Sequence, residues 1–267
     1  MTDYTSALNT VADSFLEATN FTYSECEAGV TQLDQIIVGS PSSRSDIARG
    51  YLLPMIYAYW ERFFKIVLAE YLQSLSRVTI KFDELRLSVA RHRVRRELVA
   101  LCDILHIQGL HELPDKLSMA ELSTFAAALK AWVDGPVVFP DPSNWIETRS
   151  NVKYNVVEDN FRKLGLSIER LKAHMKPNPP IIVGLRDLVD ARNQIAHGAT
   201  FQPIDASVWE KHKTFVLELM NAMQLELFET LRDQTRITEL QAANSPVPLS
   251  SVFGSAIAHA ANQAREN

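Results

Sequence analysis

Apolar side chains recur along this chain at the three- and four-residue spacing that lines one face of an α-helix. Leu8, Val11, Phe15 and Leu16 open the series, and Val30, Leu33, Ile36 and Ile37 continue it, so residues 4–37 read as one or two helices. Gly39-Ser40-Pro41-Ser42-Ser43 breaks the pattern. Ser45-Asp46 can cap the next helix, expected over 46–75, with Pro54 either beginning or kinking it. A helix over 85–106 carries Leu98, Leu101, Cys102 and Leu105 as its buried stripe. Another, over 118–133, opens with Ser118 and Glu121 at capping-box spacing. The segment DGPVVFPDPSNW at 134–145 predicts a loop, in which Val137-Val138-Phe139 forms a short strand or pins the loop to the core. Thr148 to Leu164 reads as a helix closed by Gly165 in the left-handed cap position. KPNPP at 176–180 is a second break, followed by helices expected over 181–197 and 206–241. No strand alternation and no internal repeat is visible, so the fold class expected is all-α. The expected organisation is one helical domain over 1–244, with an insertion around 77–147, and a C-terminal tail over 245–267.

Composition agrees with this reading. The chain has 267 residues, 46% hydrophobic and 22% charged, with only 9 glycines, and can bury a core without staples. A net charge of −5 gives no global attraction to nucleic acid, so any RNA contact must come from a local patch. Cys26 and Cys102 cannot make a disulfide framework. The opening MTDYTSALNTVADSF has neither a basic nor an apolar leader region, and the longest uncharged apolar stretch, Gly50 to Trp60, falls short of the roughly 20 residues a spanning helix needs. A cytoplasmic protein with no membrane contact is therefore expected.

The chemistry concentrates in Leu185-Arg-Asp-Leu-Val-Asp-Ala-Arg-Asn-Gln-Ile-Ala-His197-Gly198. At about 100° per residue, Leu185, Leu188, Val189, Ile195 and Ala196 fall in one arc, and Arg192 falls inside it. An arginine in an apolar stripe is costly unless it has a partner or faces a cleft or interface. Arg186, Asp190, Asn193 and His197 flank the stripe, and Asn193 and His197 are helical neighbours one turn apart. Arginine and histidine near a helix C-terminus are also common caps; that explains His197 well and Arg192 badly.

Arg192-Asn193-x-x-x-His197-Gly198 resembles the R-N-x-x-x-H signature of HEPN domains, many of which are metal-independent ribonucleases. Two further blocks are similar to a bacterial subgroup of these proteins. One is the helix with Tyr57-Ala-Tyr-Trp60-Glu61-Arg-Phe-Phe-Lys65; the other runs from Arg149-Ser150-Asn151-Val152 to Lys163-Leu164-Gly165-Leu166. The resemblance implies an HEPN-like helical bundle with long helices and loop insertions, paired into a two-fold dimer that brings two R-x-x-x-x-H helices to one cleft. It implies RNA as substrate, no cofactor, and a role as a toxin or anti-phage defence effector with an antitoxin or defence-system partner. Arg192, Asn193 and His197 would be the catalytic residues: arginine as a planar fork on phosphate oxygens, histidine as proton carrier, asparagine orienting the imidazole or binding phosphate. Two departures stand out. Ala199 occupies the position two after the histidine, where some HEPN toxins carry a modified tyrosine, and residues 77–147 exceed a minimal bundle. The alternatives are a catalytically silent HEPN module that binds RNA or nucleotide, and a helical scaffold in which Arg192 and His197 are structural.

Other candidates carry two readings each. Arg91, Arg93, Arg95 and Arg96, with His92 between them, form either a charged helix paired with Glu84 and Glu97 or a phosphate-tracking patch for RNA. Trp60-Glu61 is core plus an ion pair with Lys65, or Glu61 positions Arg192 or His197. His92, His106, His111, His174, His212 and His259 lack metal-ligand spacing in the sequence, so no metal site is expected.

Overall fold

A computed structural model of the chain describes residues 5–78, 139, 141–175, 180–196 and 203–233. The chain divides into two compact units, one of residues 1–78, 139–162 and 166–234, the other of 79–138, 163–165 and 235–267. The first holds most of the described residues. Its elements are all helical: α1 (Thr5–Val38), α2 (Ser45–Arg77), α3 (Tyr154–Lys163), α4 (Ile168–His174), α5 (Ile181–Ala196) and α6 (Ala206–Arg232), with single 3₁₀ turns at Ser42–Arg44 and Pro142–Trp145. The protein is all-α. No described helix is long and apolar enough to cross a membrane.

The long helices α1, α2 and α6 pack on one another, α5 lies against α2 and α6, and α4 against α6. On α1 the buried positions are Leu8, Ala12, Phe15, Thr19, Thr22, Cys26, Gly29, Val30, Leu33 and Ile37, mostly alternating steps of four and three. This stripe differs from the one expected. Ile36 is 54% exposed, and the middle of the stripe runs through polar residues. Thr19 satisfies its own hydroxyl on the Phe15 carbonyl at 2.8 Å, and accepts from Gln224 of α6 at 2.9 Å. Asp34 ties the other end of α1 to α6, accepting from Trp209 Nε1 and Lys213 Nζ, each at 2.7 Å.

Helix α2 is the core helix, with Trp60, Phe63, Phe64, Val67 and Leu68 fully buried. Its start differs from the expected cap. Arg44 is the residue before the helix and provides no side-chain cap, Ser45 Oγ donates back to the Pro41 carbonyl at 3.4 Å, and Asp46 pairs with Arg49. Pro54 lies well inside α2 rather than at its start, so the Gly50 carbonyl loses its helical donor there.

The loop expected over 134–145 is described at Phe139 and from Asp141 onward. Phe139 pins it: its N–H donates to Ser76 Oγ at 3.0 Å, and its ring meets Trp145 edge-on at 5.1 Å. Helix α3 starts at Tyr154, later than Thr148, because Asn160 holds the preceding segment out of the helix. Asn160 accepts from the Glu147 N–H at 3.0 Å and donates to the Glu147 carbonyl at 2.7 Å. Arg149 has a φ of +50°, which no α-helix accommodates. Gly165 has the left-handed φ of +71° expected of it. The short helix α4, capped by Ser167 accepting from the Arg170 N–H, was not expected. Helix α6 begins with an Asp205 cap and ends at Arg232, short of residue 241. The helices expected over 85–106 and 118–133 and the tail after residue 244 lie outside the described residues.

Candidate functional site

Helix α5 buries Leu185, Leu188 and Val189, as the wheel requires, while Ile195 is only half-buried. Arg192 is half-buried beside them. Its guanidinium carbon lies over the Tyr57 ring, 5.6 Å from the centroid, and Nη1 donates to Asn193 Oδ1 at 3.0 Å. Among the described residues no carboxylate pairs with it. An aromatic face below and an amide oxygen beside it hold the cation without neutralising it.

Tyr57 is itself tightly held. It is 2% exposed, and its hydroxyl accepts from the Val152 N–H at 2.7 Å. Burial pushes the phenol up to about 12; the Val152 bond and Arg192 oppose this, while the negative charge of nearby Glu61 adds to it. One helical turn along α2, Trp60 Nε1 donates to the Val152 carbonyl at 3.4 Å. Two α2 side chains therefore satisfy both backbone groups of Val152.

These bonds join the three sequence blocks. The Tyr57–Lys65 block supplies the aromatic support, the Arg149–Val152 block is clipped to it through Val152, and Arg192 rests on Tyr57. Trp60 is core, and Glu61 pairs with Lys65 at 2.8 Å, as expected. The charge of Glu61 also acts on Tyr57, the residue beneath Arg192. Arg149 pairs with Asp159 at 2.6 Å and Arg186 with its neighbour Asp187 at 3.2 Å, so both cations have carboxylate partners. His197, Arg91, Arg93, Arg95 and Arg96 lie outside the described residues.

Tyr57 is the residue that sequence reasoning quoted without assigning a role. Its signal was an aromatic one turn before Trp60 on the helix that carries Glu61. A second group escaped spacing arguments altogether: His174, Glu226 and Glu229 meet in space from two helices.

The pattern of the RiboL-PSP-HEPN family matches residues 23–228, which takes in α2 to α5, the C-terminal part of α1 and most of α6. That match, set on an all-helical bundle, shows an HEPN domain: the chain belongs to the RiboL-PSP-HEPN family. Neither a curated protein nor a solved structure matches it.

Proposed function

We propose that this protein is a metal-independent endoribonuclease that acts as a two-fold dimer, in the setting of a toxin or an anti-phage defence effector. The observation that carries the reading is Arg192: a half-buried guanidinium, supported by Tyr57 and Asn193, with no carboxylate partner among the described residues. Such a cation is ready for an anion, and its planar fork suits phosphate oxygens. His197, five residues further along the sequence, is the proton carrier in this reading. The ribose 2′-oxygen attacks phosphorus as its proton passes to an imidazole, the bond to the 5′-oxygen breaks, and that oxygen takes a proton. The products are a 2′,3′-cyclic phosphate and a 5′-hydroxyl. One chain offers one such histidine, so the second proton transfer falls to the partner subunit. Arg91, Arg93, Arg95 and Arg96 are the candidate RNA-tracking cations.

The test is single-turnover cleavage of RNA by wild type, His197→Ala and Arg192→Lys, with RNA affinity and thermal melts on the same samples. His197→Ala should slow cleavage by roughly 10²–10⁴ with binding nearly unchanged. Arg192→Lys should not restore activity, because a point charge cannot make two parallel bonds. Cleavage should persist in chelator and fail on substrates lacking the 2′-hydroxyl. RNA binding without cleavage by the wild type would replace the nuclease with an RNA-binding module. Destabilised variants with unchanged RNA behaviour would favour a scaffold.

A further inference from the structure

Where the C-terminus of α4 packs on α6, three donor atoms converge. His174 Nε2 lies 3.4 Å from Glu226 Oε2 and 3.5 Å from Glu229 Oε2, and one ligand atom from each residue lies within 4.8 Å of the others. Glu226 and Glu229 are three residues apart, so they share a face of α6. Glu226 is 1% exposed, whereas His174 and Glu229 are partly open to solvent. The Thr230 hydroxyl donates to Glu226 Oε1 at 3.3 Å, which leaves Oε2 as the oxygen on the imidazole side. Orientation of a ligand's second oxygen by an outer partner is how protein metal sites hold their carboxylates.

The separations have a chemical meaning. Bonds of about 2.0–2.2 Å to a tetrahedral zinc ion place neighbouring donors about 3.4 Å apart. Two of the three separations already match that edge, and the third, between the two glutamates, is no longer than 4.8 Å. An imidazole nitrogen beside two carboxylates suits a borderline transition ion; magnesium and calcium take oxygen donors. Two carboxylates one helical turn apart also repel, and a divalent charge between them reverses that effect.

We propose that His174, Glu226 and Glu229 form a binding site for a divalent transition ion of the zinc type, with water completing its coordination. The ion would clip the end of α4 to α6. The site uses none of Arg192, Asn193 and His197, so it stands or falls separately from the proposed cleavage.

The experiment uses the full chain without a histidine tag, stripped with chelator and returned to metal-free buffer. Zinc titration by calorimetry should give one saturable ion per chain, and the melting temperature should rise by several degrees on zinc addition. Cobalt in place of zinc should give visible absorption bands of low coordination number. His174→Gln and Glu229→Gln, both at partly exposed positions, should melt like the stripped wild type and lose about 100-fold or more in zinc affinity, since even outer partners are worth about 10–100-fold. These two variants are chosen over Glu226→Gln because a change at so buried a carboxylate could itself cost folding. Absence of saturable zinc binding would overturn the proposal, as would unchanged affinity in both variants, which would place the ion on other histidines. An imidazolium clip without an ion predicts no change in melting temperature on zinc addition, and that result also overturns it. RNA cleavage measured in chelator below the melting temperature of the stripped protein is expected to continue whichever way this experiment falls.

Discussion

Replacing Tyr57 separates two jobs that its side chain performs. Tyr57→Phe keeps the ring under Arg192 and deletes the acceptor of the Val152 N–H. Val152 is fully buried, so its N–H finds no water in place of the lost oxygen. An orphaned buried donor costs about 1–3 kcal/mol, and that is the expected loss of stability. Glu61 keeps its bond to Lys65 and is partly solvated, so it adds little. Tyr57→Leu loses the same bond and also the ring. A cation–π contact contributes about 0.5–2 kcal/mol depending on desolvation, and the Leu variant should be less stable than the Phe variant by at least that much. Urea melts measure both differences, provided the slope with denaturant stays constant. Cleavage should follow the ring rather than the hydroxyl: the Phe variant should stay closer to wild type than the Leu variant. A Tyr57→Phe protein as stable as wild type would refute the anchoring of Val152. Equal cleavage by the Phe and Leu variants would refute the support of Arg192 by the ring.

Two further outcomes are expected. A Cβ at Gly184 would meet the buried Phe215 ring at 2.3 Å, whereas one at Gly29 would meet the half-buried Tyr59 ring at a similar distance, where the ring can swing outward. Gly184→Ala should therefore lose about 1–3 kcal/mol despite the helix propensity of alanine, and Gly29→Ala should lose less; urea melts showing the opposite order would be inconsistent with the close packing of α5 on α6. Burial, reinforced by Lys211, holds the His212 imidazole below its ordinary value of 6.5, so the unfolded chain binds the extra proton first. Stability from this group is present above that value and is lost as pH falls toward the folded pKa, so His212→Gln should flatten the melting temperature between pH 6.5 and 5 relative to wild type; parallel profiles would count against it.

Much of the bundle was legible because its signals are local. The break at Gly39–Ser43, the left-handed Gly165 and the apolar arc of α5 each depend on residues within a turn of one another. The start of α3 was not legible, since the sequence from Thr148 onward reads the same whether or not Asn160 clamps Glu147. The core face of α1 was misread because Thr19 and Thr22 look polar; both are buried, and Thr19 fits there because its hydroxyl is satisfied by the Phe15 carbonyl and by Gln224. At the site, periodicity placed Arg192 in an apolar stripe, but no sequence rule connects it to Tyr57. His174 and the two glutamates share a corner only because α4 docks on α6, and their separation along the chain hides it.

The double bond from α2 to Val152 has a consequence for how this chain tolerates change. Tyr57 and Trp60 grip both backbone polar groups of one residue, so the register of the Arg149–Val152 turn is set where it touches the helix. The length of the connection from Arg77 to Phe139 does not set it. Doubling such a connection costs only about 0.6 kcal/mol in closure entropy. The sequence between Arg77 and Phe139 can therefore change in length while the geometry around Arg192 stays fixed, and grafts or deletions within it should be accepted so long as Tyr57, Trp60, Phe139 and a non-proline residue at position 152 are kept.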